Sequence, residues 1–250
     1  MKVLVIGGTA DGRYLATELH ELGFNVTYSI AGIVRQTNLA CPVISGGFTQ
    51  FGGLAQYVID NNITHLVDVT HPFAQTMSNT IAEVSAGFSL PSIRFHRKQW
   101  SQKENDQWIE VTHWDEVIQK MANHRSVFIT SGQISQTVID KIATKVENIF
   151  IRTAMPLKIN LPDNVTWIKA IGPFQLTNEQ QLIKQYQIDA IISKNSGGDA
   201  TYAKIQAAAD AGIPVYQFKR PQLLPTLYQF EDAVSCLKLL FCFKGATSEI

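Results

Sequence analysis

The stretch Val3-Leu4-Val5-Ile6-Gly7-Gly8-Thr9-Ala10-Asp11-Gly12-Arg13 lies at the start of the chain and decides its fold. A short apolar run that breaks into glycines is typical of a buried parallel strand leading into a helix. Leucines recur at helical spacing afterwards, so we predict a helix over Asp11–Leu22. Glycines let the backbone approach a ligand closely, and the N–H groups at such a helix start favour a phosphate. The turn therefore predicts a nucleotide site, with a strand-to-helix turn that binds nothing as the alternative.

Length, charge and cysteine content limit the class of protein. The chain has 250 residues, enough for one large or two smaller domains, and its 21 basic residues balance 21 acidic ones. This balance gives no indication of a nucleic acid or an anionic membrane as partner. The three cysteines form no Cys-x-x-Cys pair, and no signal peptide or membrane-length apolar run is evident. We predict a cytoplasmic protein without its own metal, either a monomer or a weak homodimer.

Strand and helix patterns alternate along almost the whole chain. This alternation predicts an α/β fold of two Rossmann-like lobes, each a parallel sheet flanked by helices, with a cleft between them. The polar segment 98–107 has no apolar period and is predicted to link the lobes. We expect an N-terminal dinucleotide-binding domain over residues 1–100 and a C-terminal, Rossmann-like substrate-binding domain over residues 101–250. The predicted strands are 2–6, 25–29, 42–45, 65–69, 92–95, 127–130, 148–153, 166–171, 190–193 and 214–217.

The end of the second predicted strand bears on the choice of nucleotide. In dinucleotide-binding folds this point meets the adenosine ribose, and an acidic residue there binds the 2′-hydroxyl. Ser29, Ala31 and Gly32 stand at this point without such an acid, so NAD is not positively indicated. Arg35 follows, and its guanidinium suits a 2′-phosphate. A solvated loop arginine is an equal alternative.

A glycine-rich segment follows the third predicted strand. The run Ser45-Gly46-Gly47-Phe48-Thr49-Gln50-Phe51-Gly52-Gly53-Leu54 places four glycines around two aromatic residues. Such a backbone can press against a flat ligand, and we expect Gly47 and Phe48 to contact substrate. The structural alternative requires two separate tight turns within ten residues.

The stretch Asp68-Val69-Thr70-His71-Pro72-Phe73-Ala74 stands at the carboxyl end of the fourth predicted strand. Pro72 fits the first turn of a following helix, with Thr70 or His71 as its cap. Alternatively, Thr70 and His71 face the ligand crevice, where His71 is a candidate proton donor.

Cations cluster near several other strand ends. Arg94 and Arg97 flank the predicted domain junction, either as a solvated edge or as a carboxylate-binding wall. In the second half, Lys194 precedes Asn195-Ser196-Gly197, and Lys204 follows on the next predicted helix. Polar and cationic residues at a strand's carboxyl end favour contact with an anion or substrate.

Taken in order, these segments resemble the precorrin-6A reductase family of cobalamin biosynthesis. The resemblance spans almost the whole chain. It is carried by Ile6-Gly7-Gly8-Thr9 with Gly12-Arg13, Ser29 with Ala31-Gly32, Gly46-Gly47-Phe48 with Gly53-Leu54, residues 68–74, Ser78-Asn79, Arg94 with Arg97 and Trp100, Gly172-Pro173-Phe174, residues 193–198, Lys204 and Arg220-Pro221. The chain departs from the family pattern at Ile33, where an arginine is frequent, and at Lys98-Gln99, where proline is favoured.

The resemblance implies a reductase that transfers a hydride from NADPH, or alternatively NADH, to precorrin-6A or its cobalt form, giving precorrin-6B. It implies a cofactor site of Gly7, Gly8, Thr9, Asp11, Gly12, Arg13, Ser29, Ala31, Gly32, Arg35 and Thr70. The small-molecule tetrapyrrole would contact Gly47, Phe48, His71, Arg94, Arg97, Arg152, Lys194, Asn195, Ser196, Gly197, Lys204 and Arg220. His71 and Lys194 are the candidate proton donors, and any cobalt would arrive with the substrate.

Two other classes of protein share parts of this pattern. A short-chain dehydrogenase has a Tyr-x-x-x-Lys pair on a helix, but Tyr202 and Lys204 have the wrong spacing for it. A non-catalytic, redox-sensing module that binds NADP would explain the glycine turn but not the cations of the second half.

Overall fold

The computed structural model describes residues 1–32, 39–132 and 134–246. The described chain separates into two compact units. Unit 1 comprises Met1–Lys98 together with Pro221–Ile250, and unit 2 comprises Gln99–Arg220. Among the helices of these ranges, none has the length and apolar character needed to cross a membrane.

Unit 1 contains a parallel sheet covered by helices. Its described strands are β1 (Lys2–Gly7), β2 (Asn25–Ile30), β3 (Val43–Ser45), β4 (His65–Asp68), β5 (Ser92–Phe95) and β12 (Tyr228–Phe230). Its helices are α1 (Ala10–Glu21), α2 (Leu54–Asp60), α3 (Gln75–Phe88) and α8 (Ala233–Ala246). The strand order β12-β5-β4-β1-β2-β3 reverses between β1 and β4. Such a reversal is where doubly wound sheets bind ligands, outside the carboxyl ends of the strands.

The apolar run of β1 is continuous because both faces of the sheet are buried. Val3 and Val5 pack on one face, in a cluster with Leu15 of α1 and Leu240 of α8. Leu4 and Ile6 pack on the other face, in a cluster that contains residues of α2 and α3. The helices therefore cover both faces of the sheet.

Unit 2 repeats this architecture. Its described strands are β6 (Trp108–Val111), β7 (Ser126–Ile129), β8 (Asn148–Thr153), β9 (Val165–Lys169), β10 (Ala190–Lys194) and β11 (Val215–Phe218). Its helices are α4 (Trp114–Lys120), α5 (Gln136–Ala143), α6 (Leu176–Gln185) and α7 (Ala203–Ala211). The strand order is β6-β11-β10-β7-β8-β9, all parallel, with the reversal between β7 and β10. The predicted α/β fold with two parallel sheets is confirmed, whereas the cleft between the lobes stays a prediction.

The predicted domain boundary is wrong for the C-terminal segment. The sequence predicts residues 221–250 in the second domain, but they belong to unit 1. The physical reason is that β12 pairs with β5, and α8 packs on α1 and β5. Lys244 of α8 also donates from Nζ to the Leu22 and Gly23 carbonyl oxygens, at 2.8 and 3.1 Å, at the end of α1.

Candidate functional site

The turn between β1 and α1 leaves one glycine open to the outside. Gly8 has φ +133°, a conformation that L side chains rarely adopt, and a Cβ added there would meet no described atom within 4 Å. The neighbouring glycines are enclosed instead. A Cβ on Gly7 would lie 2.8 Å from the Tyr28 ring, and one on Gly12 would lie 3.0 Å from the Tyr28 hydroxyl. Gly7 and Gly12 therefore permit close packing, and Gly8 presents bare backbone.

Tyr28 of β2 packs against this turn and holds it by a hydrogen bond. Its side chain is fully buried, and its hydroxyl oxygen accepts a hydrogen bond from the Gly8 N–H at 2.9 Å. Burial raises the pKa of Tyr28, so the hydroxyl stays protonated at neutral pH. Sequence analysis missed this residue, although a tyrosine among the apolar residues of a buried strand is itself a signal, because its hydroxyl needs a partner.

The start of α1 is tied to the end of β4. Thr9 caps the helix: its Oγ1 accepts from the Gly12 N–H at 3.1 Å and donates to the Val69 carbonyl at 3.3 Å. The first-turn N–H groups of such a helix have no acceptor within the helix itself. Asp11 stands in this first turn and forms an ion pair with Arg97. Its carboxylate is thus neutralised where an anionic ligand would otherwise be repelled.

Arg94, a predicted substrate contact, is bonded within unit 1. It is 2% exposed, and its guanidinium donates to Asp68 Oδ2 at 3.0 Å, Leu224 O at 2.8 Å and Ser78 O at 3.2 Å. Asp68 is 1% exposed and also accepts from the Thr70 hydroxyl at 2.7 Å. A buried carboxylate requires such a partner. Arg94 is therefore a structural residue that holds the ends of β4 and β5.

His71 lies two residues beyond the Val69 carbonyl to which Thr9 is bonded. Its half-buried ring accepts at Nδ1 from the Phe73 N–H at 3.2 Å, so the neutral ring carries its proton on Nε2. The predicted cap role of Thr70 or His71 is wrong, because α3 begins at Gln75 after Ala74, and Pro72 lies before its first turn. Gly8 and Thr9 follow β1, and Thr70 and His71 follow β4, so all four stand beyond the carboxyl ends of the two strands between which the unit 1 sheet reverses.

Several other predicted contacts in unit 1 stand elsewhere. Ser29 is buried within β2 beside Ile6, whereas Ala31 and Gly32 are exposed beyond its end. Phe48 is also buried, with its ring 5.4 Å from that of Tyr57, and its predicted substrate contact stays a prediction. Gly47 precedes a short 3-10 turn that ends at Gly52, and α2 begins just after Gly53. Positive φ angles at Gly47, Gly52 and Gly53 permit this turn and the entry into α2, and the predicted substrate contact of Gly47 stays a prediction. Arg35 lies outside the described residues.

Unit 2 contains a pocket of about 240 Å³ at the carboxyl ends of β7, β8 and β9. Arg152 and Lys204, two predicted substrate contacts, both line it, together with Thr130, Thr153, Phe174 and Thr201. Arg152 pairs with Glu179 through two hydrogen bonds of 2.5 and 2.9 Å, and its guanidinium lies 3.7 Å from the centre of the Phe174 ring. Sequence analysis missed Glu179 and Phe174 as partners of Arg152, since contacts between neighbouring elements have no local sequence signal.

Lys204 is a buried cation beside this ion pair. It is 4% exposed, and its Nζ donates to the Thr201 carbonyl at 2.7 Å and lies 4.9 Å from the centre of the Trp100 ring. Desolvation, together with the nearby Arg152 charge, lowers the pKa of Lys204 to about 7. Near neutral pH, the Lys204 side chain is therefore partly in its charged ammonium form and partly in its neutral amine form.

The loop after β10 is held by hydrogen bonds. The Asn195 amide accepts from the Trp100 N–H and donates to the Trp100 carbonyl, both at 2.9 Å, which gives it a structural role, and its predicted substrate contact stays a prediction. Arg220 donates to the Asn195 and Ser196 carbonyls at 2.8 and 3.1 Å. Ser196 and Gly197 are buried in the loop. Lys194 is half-buried at its start, and desolvation lowers its pKa.

The chain is similar over most of its length to one group of enzymes. The family model described as precorrin-6x reductase CbiJ/CobK matches residues 2–238. The chain belongs to this family. A precorrin-6A reductase of Sinorhizobium sp is 35% identical over 94% of this chain and 91% of the relative, and one of Rhodococcus erythropolis is 31% identical over 94% and 96%. The solved structure of a CobK precorrin-6A reductase aligns with a TM-score of 0.83 at 27% identity, covering 96% of each chain.

Membership of the precorrin-6x reductase family confirms the predicted family and the prediction of an oxidoreductase of cobalamin biosynthesis. A reductase of this family implies a nicotinamide cofactor in general terms. The residues at the reversal of the unit 1 sheet fit such a group, because the bare Gly8 backbone lies beside the start of α1. Within the described ranges, no cluster of three or more His, Cys, Asp or Glu is arranged to hold a metal ion.

Proposed function

We propose that the chain reduces precorrin-6A to precorrin-6B, with NADPH as the hydride donor held by unit 1. The observation that carries this proposal is the open Gly8 backbone at the sheet reversal, in a chain that belongs to a reductase family throughout its length. The bound dinucleotide supplies a hydride, so the protein's task is to orient two flat molecules and exclude water. We also propose a tetrapyrrole as the small-molecule partner, a cytoplasmic location and a monomer or weak homodimer.

The cofactor is proposed to lie across the turn between β1 and α1. Gly8 lets its pyrophosphate approach the backbone, and the first-turn N–H groups of α1 donate to it. Ala31 and Gly32 are exposed at the end of β2, next to the end of β1, and carry no carboxylate that would repel a 2′-phosphate. This supports NADPH over NADH. Arg13, half-buried in α1, supplies a cation near the same turn.

The proton that accompanies reduction is proposed to come from His71 Nε2. The acid would be the imidazolium form of the ring, which transfers its Nε2 proton and becomes neutral, while the Phe73 N–H, 3.2 Å from Nδ1, orients the neutral ring. His71 also follows the end of β4, which Thr9 ties to the cofactor turn. Lys194 is the second candidate, because its lowered pKa makes the ammonium a better acid.

Anaerobic reduction of precorrin-6A by the purified protein, followed in the visible spectrum, tests the function. Fluorescence titration with NADPH and NADH tests the cofactor and should show clear preference for NADPH. A matched pair of variants locates the site. Gly8→Ala, which strains the turn, should weaken NADPH binding at least tenfold, whereas Gly87→Ala on the exposed face of α3 should leave it unchanged. Absence of binding of both dinucleotides would rule out the proposed reductase.

A further inference from the structure

We propose that the unit 2 pocket lined by Lys204 and Arg152 binds one carboxylate arm of the tetrapyrrole. This proposal rests on the proposed function for the identity of the ligand. It assigns that pocket a specific part of the substrate, whereas the macrocycle itself stays outside it.

The size of the pocket excludes the whole macrocycle. Sites that enclose drug-sized ligands have volumes of roughly 300–1,000 Å³. The unit 2 pocket has a volume of about 240 Å³ and opens to the outside. It is therefore suited to a side arm that projects from a larger molecule.

The charges around the pocket favour an anion. Arg152 and Glu179 neutralise each other in a buried pair, at 2.5 Å between their nearest atoms. Lys204 adds a further positive charge, and it is 4% exposed. A buried charge without a counter-charge is unfavourable. A carboxylate in the pocket would supply the missing negative charge.

Lys204 has N–H donors available to hydrogen-bond that carboxylate. An ammonium has three N–H donors, and among the described residues one of them is directed to the Thr201 carbonyl, at 2.7 Å. Arg152 uses two of its five donors for Glu179, and Phe174 fixes the plane of its guanidinium. Lys204 therefore donates hydrogen bonds directly to the ligand, and the positive charge of Arg152 adds electrostatic attraction for it.

A carboxylate arm also explains why Lys204 is retained in this position. Burial, together with the Arg152 charge and against the smaller effect of Glu179, lowers the pKa of Lys204 to about 7. A carboxylate within hydrogen-bond distance would favour the charged ammonium and raise that pKa. Binding of the arm would thus convert a partly neutral lysine into a charged hydrogen-bond donor.

The test compares Lys204→Met with Lys184→Met in the full-length protein. Methionine keeps all but the terminal atom of the lysine side-chain length and removes its charge, and Lys184 is exposed on α6. Precorrin-6A binding is measured by fluorescence quenching without turnover, and NADPH binding is measured separately. Thermal unfolding confirms that both variants are folded; if Lys204→Met is not, Lys204→Gln replaces it under the same criteria.

Lys204→Met should weaken precorrin-6A binding tenfold or more, with NADPH binding within twofold of wild type. Lys184→Met should change neither. Precorrin-6A binding within twofold of wild type in Lys204→Met overturns the proposal, and so does a loss confined to NADPH, which would identify the anion as a nucleotide phosphate. If wild type binds precorrin-6A in a Lys204-dependent manner but never reduces it, the reductase proposal fails and the carboxylate pocket stands.

Discussion

Replacing Arg94 with methionine separates a structural role from substrate binding. Arg94 and Asp68 are 2% and 1% exposed, and the guanidinium also donates to the Ser78 and Leu224 carbonyls. The substitution leaves the buried Asp68 carboxylate without its counter-charge and removes the hydrogen bonds to the Ser78 and Leu224 carbonyl oxygens. Breaking a buried ion pair in this way costs about 3–5 kcal/mol. At about 2–4 °C per kcal/mol for a chain of this size, the midpoint of thermal unfolding should fall by roughly 6–20 °C.

The matched control is Arg125→Met. Arg125 also pairs with a carboxylate, Glu147, at 3.0 Å, but the two side chains are 80% and 60% exposed. An exposed pair contributes at most about 1 kcal/mol, so the control should lose little stability. Urea denaturation gives the free energy of unfolding for each variant, and steady-state assays give the KM for precorrin-6A. If Arg94→Met is no less stable than Arg125→Met but has a raised KM, the structural assignment of Arg94 is refuted.

Three further predictions concern the turn, the buried lysine and the histidine. Gly12→Ala should weaken NADPH binding and lower stability, because its Cβ would lie 3.0 Å from the Tyr28 hydroxyl, and adding Tyr28→Phe should restore part of both; calorimetry that shows no loss for Gly12→Ala contradicts this packing. Because the pKa of Lys204 is lowered to about 7 in the folded state, the unfolded chain binds more protons than the folded chain above that pH. The free energy of unfolding of wild type, relative to Lys204→Met, should therefore rise between pH 7 and 8.5 by up to about 1.4 kcal/mol per pH unit. A difference between the two denaturation curves that stays constant with pH would contradict this prediction. His71→Gln should reduce kcat at least tenfold without changing NADPH affinity, whereas unchanged turnover and pH profile would exclude His71 as the acid.

The fold was predictable where burial leaves a local pattern. The central strands carry continuous apolar runs because helices cover both faces of their sheets, and each of them was predicted. The strands that were missed, β6 and β12, are edge strands of four and three residues with partly exposed side chains. Short edge strands carry little apolar periodicity. The wrong domain boundary follows from this gap, because the pairing of β12 with β5 places the C-terminal segment in unit 1.

The site was predictable in outline, because strand ends and glycine turns are local features. Gly8, Thr9 and His71 were all identified from the sequence and lie at the reversal of the unit 1 sheet. The partners that define each side chain's state were not identified. Tyr28 binds Gly8 from the next strand, and Glu179 pairs with Arg152 across 27 positions of sequence. Such contacts depend on which helices and strands lie side by side and in which register, and no local sequence pattern gives that information.

The cations show why a strand end alone does not identify a binding residue. A cation beside a buried carboxylate that it alone neutralises is committed to the fold, as Arg94 is to Asp68. A cation next to an ion pair that is already neutral has charge left for a ligand, as Lys204 has beside Arg152 and Glu179. Both residues are almost completely buried, so exposure does not separate them. The balance of charge around each cation separates them: it supports a structural role for Arg94 and the substrate contact that we propose for Lys204.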